Sequence, residues 1–150
     1  MEDTTDNIFW FTIDGEKKLA TENLIPKNQV YKEKLVVKKG IEYRLWDPFR
    51  SKLAACLMNG LTDFPFKENS NVLYLGVSTG TTISHISDII GPKGIVFGVE
   101  HSSRVARDFL DRVASYRKNI VPIIQDARQP KQYFSVYNNC LLYTSDAADE

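Results

Sequence analysis

A turn rich in glycine and hydroxyl side chains follows an apolar segment, residues 72–75. Gly76 allows a tight turn, Gly80 lets the backbone approach a ligand, and Thr81 and Thr82 offer hydroxyl and N–H groups at a predicted helix N-terminus. The spacing G-x-x-x-G lacks the middle glycine of a dinucleotide site and the Gly-Lys-Ser/Thr of a P-loop. It therefore favours S-adenosylmethionine, which has no phosphate, over a dinucleotide or a triphosphate. The alternative is a glycine-bearing turn that binds no ligand.

Two acidic residues follow the next two apolar segments. Glu100 lies 24 residues beyond Gly76, and an acid about 20 residues after a glycine turn can accept hydrogen bonds from ribose hydroxyls. Asp126, followed by Ala127, can accept a hydrogen bond from an adenine amino group. The alternatives are a solvated carboxylate for Glu100 and a turn or helix-capping role for Asp126. Because the turn and both acids end successive predicted strands, the pattern favours one shared adenosyl ligand.

Predicted strands and helices alternate around these residues. Strands are predicted at 72–76, 95–99 and 119–125, and helices at 82–90 and 102–118. The first helix places its isoleucines on one side and stops at Gly91-Pro92. The inward-facing residues of the second helix are predicted to be Val105, Phe109, Val113 and Tyr116. This β-α-β-α-β order predicts a doubly wound parallel sheet with ligands at the carboxyl ends of its strands.

A small β unit is predicted in front of this α/β region. Residues 8–13 and 17–21 flank the hairpin turn Asp14-Gly15, and residues 35–37 and 41–46 flank a second turn. Asp47 is predicted to cap a helix of about twelve residues that begins at Pro48. We therefore divide the chain into an N-terminal β domain, 1–46, and part of an α/β domain, 47–139.

Composition excludes several classes of protein. With 150 residues, 43% of them hydrophobic, the chain is long enough for one sizeable core. Cys56 and Cys140 are far apart and indicate neither a disulfide framework nor a zinc site, and no metal is predicted. The sequence has no apolar run long enough to cross a bilayer, and its start is acidic rather than signal-like, so a cytoplasmic protein without a membrane partner is expected.

The last eleven residues, 140–150, resemble the translation of a sequencing-library adapter. We interpret them as a non-native tail, which makes the natural sequence continue past Asn139. Without this tail the balance is 19 basic and 16 acidic residues, a net charge of +3. That charge is a mild preference for polyanions.

Longer strings resemble a known family. Residues 42–55, which include Trp-Asp-Pro-Phe-Arg-Ser-Lys, are similar to fibrillarin of the archaeal type, as are residues 72–76, 80–92 and 125–128. The similarity runs from about residue 8 to about residue 133, and the glycine- and arginine-rich extension of eukaryotic fibrillarins is absent. The resemblance implies a small N-terminal β domain followed by an S-adenosylmethionine-dependent methyltransferase domain of Rossmann-like fold, incomplete in this chain.

The resemblance also implies a function and a set of site residues. The implied function is 2′-O-methylation of ribose in rRNA or tRNA, as the catalytic subunit of a box C/D ribonucleoprotein with a guide RNA and a scaffold protein. Cofactor contacts are implied for Thr81, Thr82, Glu100, His101, Asp126 and Ala127, with His101 where the family usually has an aromatic residue. The family's catalytic set is a lysine, an aspartate, a second lysine and a histidine. Lys52 matches the first, and the others would follow Asn139, so the 150 residues alone are expected to be inactive.

Two other functions remain open at this point. A non-catalytic nucleotide-binding module of Rossmann-like fold would share the glycine turn, and a methyltransferase acting on protein or small molecules would share the acids as well. The segment 46–52 and the β unit in front of it argue against the second. Basic residues available for RNA are Arg44, Arg50, Lys52, Arg104, Arg107, Arg112 and Arg117. An archaeal protein of this kind is cytoplasmic, and a eukaryotic one nucleolar.

Overall fold

The N-terminal third of the chain forms an antiparallel sheet. The structure, a computed structural model, describes residues 4–5, 7–133 and 140–144. The strands of this sheet are β1 (Thr4–Thr5), β2 (Ile8–Ile13), β3 (Glu16–Glu22), β4 (Leu35–Lys38) and β5 (Ile41–Leu45), in the spatial order β1-β2-β3-β5-β4. Both predicted hairpins form, because Asp14-Gly15 and Lys39-Gly40 each place two residues at positive φ, as a two-residue turn of this kind requires.

A parallel sheet follows. Its strands are β6 (Asn71–Leu75), β7 (Ile95–Val99), β8 (Ile120–Ile123) and β9 (Leu141–Thr144), in the order β8-β7-β6-β9. Helix α2 (Thr81–Ile90) connects β6 to β7. Helix α3 (Ser103–Phe109), continued by a π-helical turn at Leu110–Ala114, connects β7 to β8. The predicted β-α-β-α-β order with a parallel sheet is confirmed, together with the antiparallel unit in front of it.

The helix that connects the two sheets along the chain begins later than the sequence predicts. Helix α1 spans Lys52–Met58, seven residues rather than about twelve, and its N-cap is Ser51, whose hydroxyl accepts a hydrogen bond from the Ala54 N–H at 3.3 Å. The prediction that Asp47 caps it was wrong. Asp47 instead closes a turn upon itself: its Oδ1 accepts from the Phe49 N–H at 2.8 Å and its carbonyl from the Arg50 N–H at 3.1 Å.

Helix α2 lies between the two sheets and is buried on every side. Its isoleucines form part of one hydrophobic cluster that also contains Leu19 and Trp46 from the N-terminal region. Its opposite side carries His85 and Asp88, which face the N-terminal sheet. The two predicted domains therefore share a core, and the interpretation that they divide between residues 46 and 47 stays a prediction.

A buried ion network joins α2 to its neighbours. Asp88 accepts from Arg44 at 2.9 Å, from Arg117 at 2.6 Å and from the Thr21 hydroxyl at 2.6 Å, and Arg44 also pairs with Glu33 at 2.7 Å. Burial disfavours the charged form of Asp88, but the two guanidinium groups outweigh it and hold the pKa of this carboxyl below its usual range. Arg44 and Arg117, which the sequence offers among the basic residues available for RNA, are therefore buried in this network and not available on the surface.

The residues that face inward shift by one position near the end of the α3 segment. Phe109 and Val113 are fully buried, as predicted, but Tyr116 is 52% exposed. The π-helical turn inserts one extra residue, so Arg117 rather than Tyr116 faces inward after it. Within the described ranges, no helix is both long and apolar enough for a bilayer, and no group of three or more His, Cys, Asp or Glu residues forms a potential metal site.

Candidate cofactor-binding site

The turn after β6 has the strained backbone that its glycines predict. Gly76 lies at φ +80°, Ser78 at +60° and Gly80 at +102°. The N–H groups of Gly76 and Val77 donate to the Val99 carbonyl at 2.9 and 3.2 Å. These two bonds fasten the turn to the end of β7, at the carboxyl edge of the sheet where ligands bind in folds of this kind.

Gly80 is required by packing inside the protein. A Cβ atom on this residue would lie 2.7 Å from Cγ2 of Val113 and 3.1 Å from Cδ1 of Phe109. Helix α3 and its π-helical turn therefore press directly on the start of α2. The predicted approach of the Gly80 backbone to a ligand stays a prediction, and the structure supplies a separate reason for glycine here.

Glu100 connects the glycine turn to the next strand end. The residue is buried, with its Oε1 accepting from the Ser78 N–H at 2.7 Å and its Oε2 from the N–H groups of His101 and Ser102 at 2.9 Å each. A carboxylate offers about four acceptor positions. Three backbone donors therefore leave capacity for about one more hydrogen bond, such as that of a ribose hydroxyl.

Asp126 lies in the turn after β8. Its carboxylate accepts from the Arg128 N–H at 2.9 Å and from the Arg128 guanidinium, the shortest of whose bonds is 2.8 Å. These bonds, with a smaller contribution from His101, lower the pKa of Asp126 to about 2. The carboxylate is thus ionised at neutral pH and able to accept from an amino group. Next to it, Ala127 accepts the Tyr133 hydroxyl through its carbonyl at 2.6 Å.

Lys52 is brought to the glycine turn by a residue that the sequence analysis missed. The Thr82 hydroxyl donates to the Ser51 hydroxyl at 2.9 Å, which joins the N-terminus of α1 to the first turn of α2. Lys52 is the next residue and is exposed. Ser51 had a recognisable signal, since a serine directly before an apolar helical stretch is a preferred N-cap.

The two histidines have separate environments. His101 is exposed beside Glu100. His85 lies inside the protein, where its ring nitrogens are 2.8 Å from the Thr21 hydroxyl and 2.7 Å from the Tyr31 hydroxyl, and its ring stacks on Trp46. Burial, with the nearby Arg44 and Arg117, lowers the pKa of His85 well below its usual value, so it is a neutral core residue.

The donors and acceptors of this edge fit S-adenosylmethionine. Carboxylates at Glu100 and Asp126 suit hydroxyl and amino groups, and they would repel the phosphates of a dinucleotide or triphosphate. The edge thus collects the ends of β6, β7 and β8, with Glu100 bonded to the glycine turn and His101 interacting electrostatically with Asp126.

Comparisons with known proteins identify one family. The fibrillarin family model matches residues 1–149. A fibrillarin-like rRNA/tRNA 2′-O-methyltransferase of Pyrococcus abyssi is 52% identical over 120 residues, which are 80% of this chain and 52% of that protein. The chain spans about half the length of the curated relatives it matches.

Two solved structures are similar. The crystal structure of Aeropyrum pernix fibrillarin with natively bound S-adenosyl-L-methionine has a TM-score of 0.89 and 45% identity, covering 95% of this chain and 62% of that one. A chain in the crystal structure of a fibrillarin/Nop5p complex has a TM-score of 0.78 and 33% identity, covering 95% of this chain and 63% of that one. With a family match over almost its whole length and this fold, the chain belongs to the fibrillarin family.

Proposed function

We propose that the protein to which this chain belongs methylates ribose 2′-oxygens of rRNA or tRNA with S-adenosylmethionine. The observation that carries the proposal is the hydrogen bond from the Ser78 N–H to Glu100, which makes the glycine turn and a ribose-binding acid one unit. The name of the Pyrococcus abyssi relative and the ligand bound to Aeropyrum pernix fibrillarin support the same activity and cofactor.

Each residue of the site has a proposed role. Glu100 accepts from the ribose hydroxyls of the cofactor, Asp126 from its adenine amino group, and His101 covers the ring. Gly76 and Gly80 shape the turn, while Thr81, Thr82 and Ala127 complete the contacts. When bound, S-adenosylmethionine supplies an electrophilic methyl group on sulfur. The remaining task of the protein is to hold a weakly acidic sugar hydroxyl in line with that methyl.

Lys52 is proposed to act on the RNA side of the reaction. A ribose hydroxyl acquires negative charge as it attacks, and a fixed ammonium group nearby stabilises that charge. The Ser51–Thr82 hydrogen bond fixes the helix end that carries Lys52 next to the cofactor turn. Lys52 is therefore assigned an electrostatic and positioning role.

The proposed setting is a box C/D guide ribonucleoprotein. A guide RNA would select the target rRNA or tRNA, and a scaffold protein would dock the methyltransferase. The fibrillarin/Nop5p complex supports a protein partner of this kind. The archaeal organisms of the similar relatives support a cytoplasmic location. A methyltransferase for protein or small molecules is disfavoured because the similar relatives are named for rRNA and tRNA.

Calorimetry on the 150-residue chain tests the cofactor assignment. We expect S-adenosylmethionine to bind and NAD to show no heat, because two carboxylates at the site oppose a pyrophosphate. Glu100→Ala should abolish the signal, and Glu68→Ala, at an exposed position elsewhere, should not change it. Preferential binding of NAD would instead support the non-catalytic nucleotide-binding module.

The role of Lys52 is tested in the full-length parent protein with its RNA. Lys52→Ala should lower the rate of methyl transfer about 100-fold, the loss typical of removing one transition-state contact, with little change in S-adenosylmethionine affinity. Lys67→Ala, an exposed lysine before β6, is the matched control. Unchanged turnover of Lys52→Ala at saturating RNA would remove this residue from the catalytic set.

A further inference from the structure

One face of helix α2 contacts the stretch of chain that leads into α1. The residues of this face are spaced three apart, as neighbours on one side of a helix are; they are Thr82, His85 and Asp88. The residues that they contact are Ser51, Trp46 and Arg44, respectively. Because these partners follow in reverse order, residues 44–51 run antiparallel to α2. The stretch ends directly before Lys52.

The contact nearest to Lys52 is a hydrogen bond between two buried hydroxyl groups. Thr82 donates to Ser51 at 2.9 Å, and the two residues are 0% and 2% exposed. Water therefore does not compete for this bond. The same Ser51 oxygen accepts from the Ala54 N–H as the N-cap of α1. One oxygen atom thus fixes both the start of α1 and its distance from α2.

The second contact holds the other end of the connection between β5 and α1, residues 46–51. The His85 ring stacks on Trp46, with the ring centroids 4.8 Å apart and the planes inclined by 15°. Nε2 of His85 lies 2.7 Å from the Tyr31 hydroxyl, which accepts from the Asp47 N–H at 3.2 Å. The first two residues of the connection are therefore held on α2 through His85.

The hydrogen bonds around His85 run in one direction. The Thr21 hydroxyl donates to the ionised Asp88 at 2.6 Å, so it accepts from Nδ1 of His85. Neutral His85 carries a single N–H, so its Nε2 accepts from the Tyr31 hydroxyl, whose other acceptor, the Leu45 carbonyl, is farther away at 3.1 Å. The orientation of the ring is thus fixed at both nitrogens.

We propose that Thr82 and Ser51 are positioning residues for methyl transfer and that they act through Lys52. The inference rests on the proposed function, and it gives the Thr82 hydroxyl a task beside the cofactor contact proposed for this residue. Because α2 begins at the glycine turn, a shift of α1 against α2 moves Lys52 relative to the cofactor. A misplacement of about 1 Å can lower a rate on the order of 100-fold.

The alternative is that the bond between Thr82 and Ser51 serves stability alone, and a second hydroxyl of α2 provides the comparison. Ser87 is fully buried and donates to Oδ1 of Asn119 at 2.6 Å. Asn119 precedes β8 and has no link along the chain to α1. Removal of either hydroxyl takes one buried polar group from the same helix, but only that of Thr82 leads to Lys52.

Methyl transfer by the full-length parent protein to its RNA tests the proposal. Thr82→Val removes the hydroxyl at similar size and leaves the Ser51 cap of α1 in place. We expect kcat and kcat/KM for RNA to fall together by about tenfold, as they do when an interaction made only in the transition state is lost. The affinity for S-adenosylmethionine, measured by calorimetry, should change less than about threefold. Thr82→Ser keeps the hydroxyl and should restore turnover.

Ser87→Ala is the matched control for stability. It should lower the midpoint of urea denaturation as Thr82→Val does, because each loses a buried hydrogen bond of α2. Its turnover should equal that of the unsubstituted parent. Circular dichroism would verify that both variants are folded.

A double-mutant cycle tests whether the bond acts through Lys52. In a Lys52→Ala background, Thr82→Val should lower turnover by less than about twofold, because the group that the bond positions is absent. Ser51→Ala breaks the same bond from the other side, so it should lower turnover as Thr82→Val does. The two together should lower turnover no further than either alone.

The outcomes separate this inference from the proposed function. Unchanged turnover of Thr82→Val, an equal loss in Ser87→Ala, a full loss in the Lys52→Ala background, or a loss confined to S-adenosylmethionine affinity would each overturn the inference. Where the unsubstituted parent methylates RNA, each of these results defeats the inference alone. Absence of methyl transfer by the unsubstituted parent would defeat the proposed function and this inference with it.

Discussion

The carboxylate of Glu100 holds backbone from two loops at once, so its role can be tested through stability as well as binding. Glu100→Gln keeps the size of the side chain but turns an NH₂ group toward backbone N–H donors. We expect the free energy of unfolding to fall by about 2–3 kcal/mol, since a buried, charge-assisted hydrogen bond is lost and a donor is left unsatisfied. Urea denaturation would measure it, with the exposed Glu68→Gln as a control that should stay within about 0.5 kcal/mol.

Gly80 allows the cost of backbone strain to be separated from the cost of crowding. Gly80 and Gly60 have almost the same φ, +102° and +98°, but a Cβ on Gly80 would meet Val113 while one on Gly60 would meet nothing within 4 Å. Gly60→Ala should therefore cost about 1–2 kcal/mol of stability from the left-handed backbone. Gly80→Ala should cost about 1–3 kcal/mol more from overpacking.

A double-mutant cycle with Val113→Ala checks this explanation of Gly80. Because Val113 Cγ2 is the nearest atom, truncating it should recover part of the cost of Gly80→Ala, with a coupling of about 1 kcal/mol or more. Equal costs at Gly60 and Gly80, or no coupling, would mean that the contact with Val113 does not explain the glycine.

Single residues of the site were predictable where the signal is local. The positions of Glu100 and Asp126 after apolar segments predict that both lie at the carboxyl edge of the sheet, and the structure places both there. Their contacts with a cofactor stay predictions. The burial of Arg44 and Arg117 was not predictable, because their shared partner Asp88 is 44 and 29 positions away in sequence, respectively. Arginine side chains are most often exposed to solvent. The buried exceptions are recognised only when the folded structure shows their acidic partners.

The packing of helix α2 against its neighbours depends on the ion pairs of Asp88, and their contribution to the free energy of unfolding should vary with pH. Asp88→Asn leaves Arg44 and Arg117 without their shared counter-charge inside the protein. We expect a loss of about 3–5 kcal/mol in the free energy of unfolding at neutral pH, the usual cost of breaking a buried ion pair.

The pKa of Asp88 is lowered from its ordinary 3.8, so its stabilising contribution is complete above about pH 5 and is lost as the pH falls toward the folded-state value. The stability gap between wild type and Asp88→Asn should accordingly narrow below about pH 4. Urea denaturation across this range would measure it, with the exposed Asp63→Asn as control. A gap that does not change between pH 5 and pH 3 would contradict the assigned linkage.

The apolar pattern of the sequence predicts the helices and strands better than it predicts their boundaries and inward-facing residues. The alternation of strands and helices was predictable from apolar runs and from the stop at Gly91-Pro92. The start of α1 was not, since Asp47 and Ser51 are both good caps and the choice depends on the bond from Thr82 to Ser51. Tyr116 was placed wrongly because one π-helical turn shifts the phase of every residue after it.

In the whole molecule the two sheets share a core, and β9 forms one edge of the parallel sheet among the described residues. Strand β9 pairs with β6 from Val72↔Leu141 to Leu75↔Thr144, and the Tyr143 ring lies 4.6 Å from that of Tyr74. Yet Leu142 is 63% exposed and Leu141 39%. The sheet thus accepts a strand at this position, while Leu142 of that strand lies largely in solvent and Leu141 partly so. Residues 145–150 of the predicted non-native tail lie outside the described part of the chain.

This poor fit leads to a prediction about the natural continuation. If residues 140–150 are not native, the full-length parent has another strand beside β6, one that buries more apolar surface and carries the missing catalytic residues into the site.

We expect the parent to unfold at higher urea concentration than the 150-residue chain and to transfer methyl groups to RNA. The 150-residue chain should bind S-adenosylmethionine without detectable transfer, because Lys52 is the one member of the proposed catalytic set that falls within residues 1–139. Sequencing the 3′ end of the gene, followed by parallel denaturation and methyl-transfer assays, would decide the matter. Transfer by the 150-residue chain at the parent's rate would show that the catalytic set lies within residues 1–139 and that its assignment here is wrong.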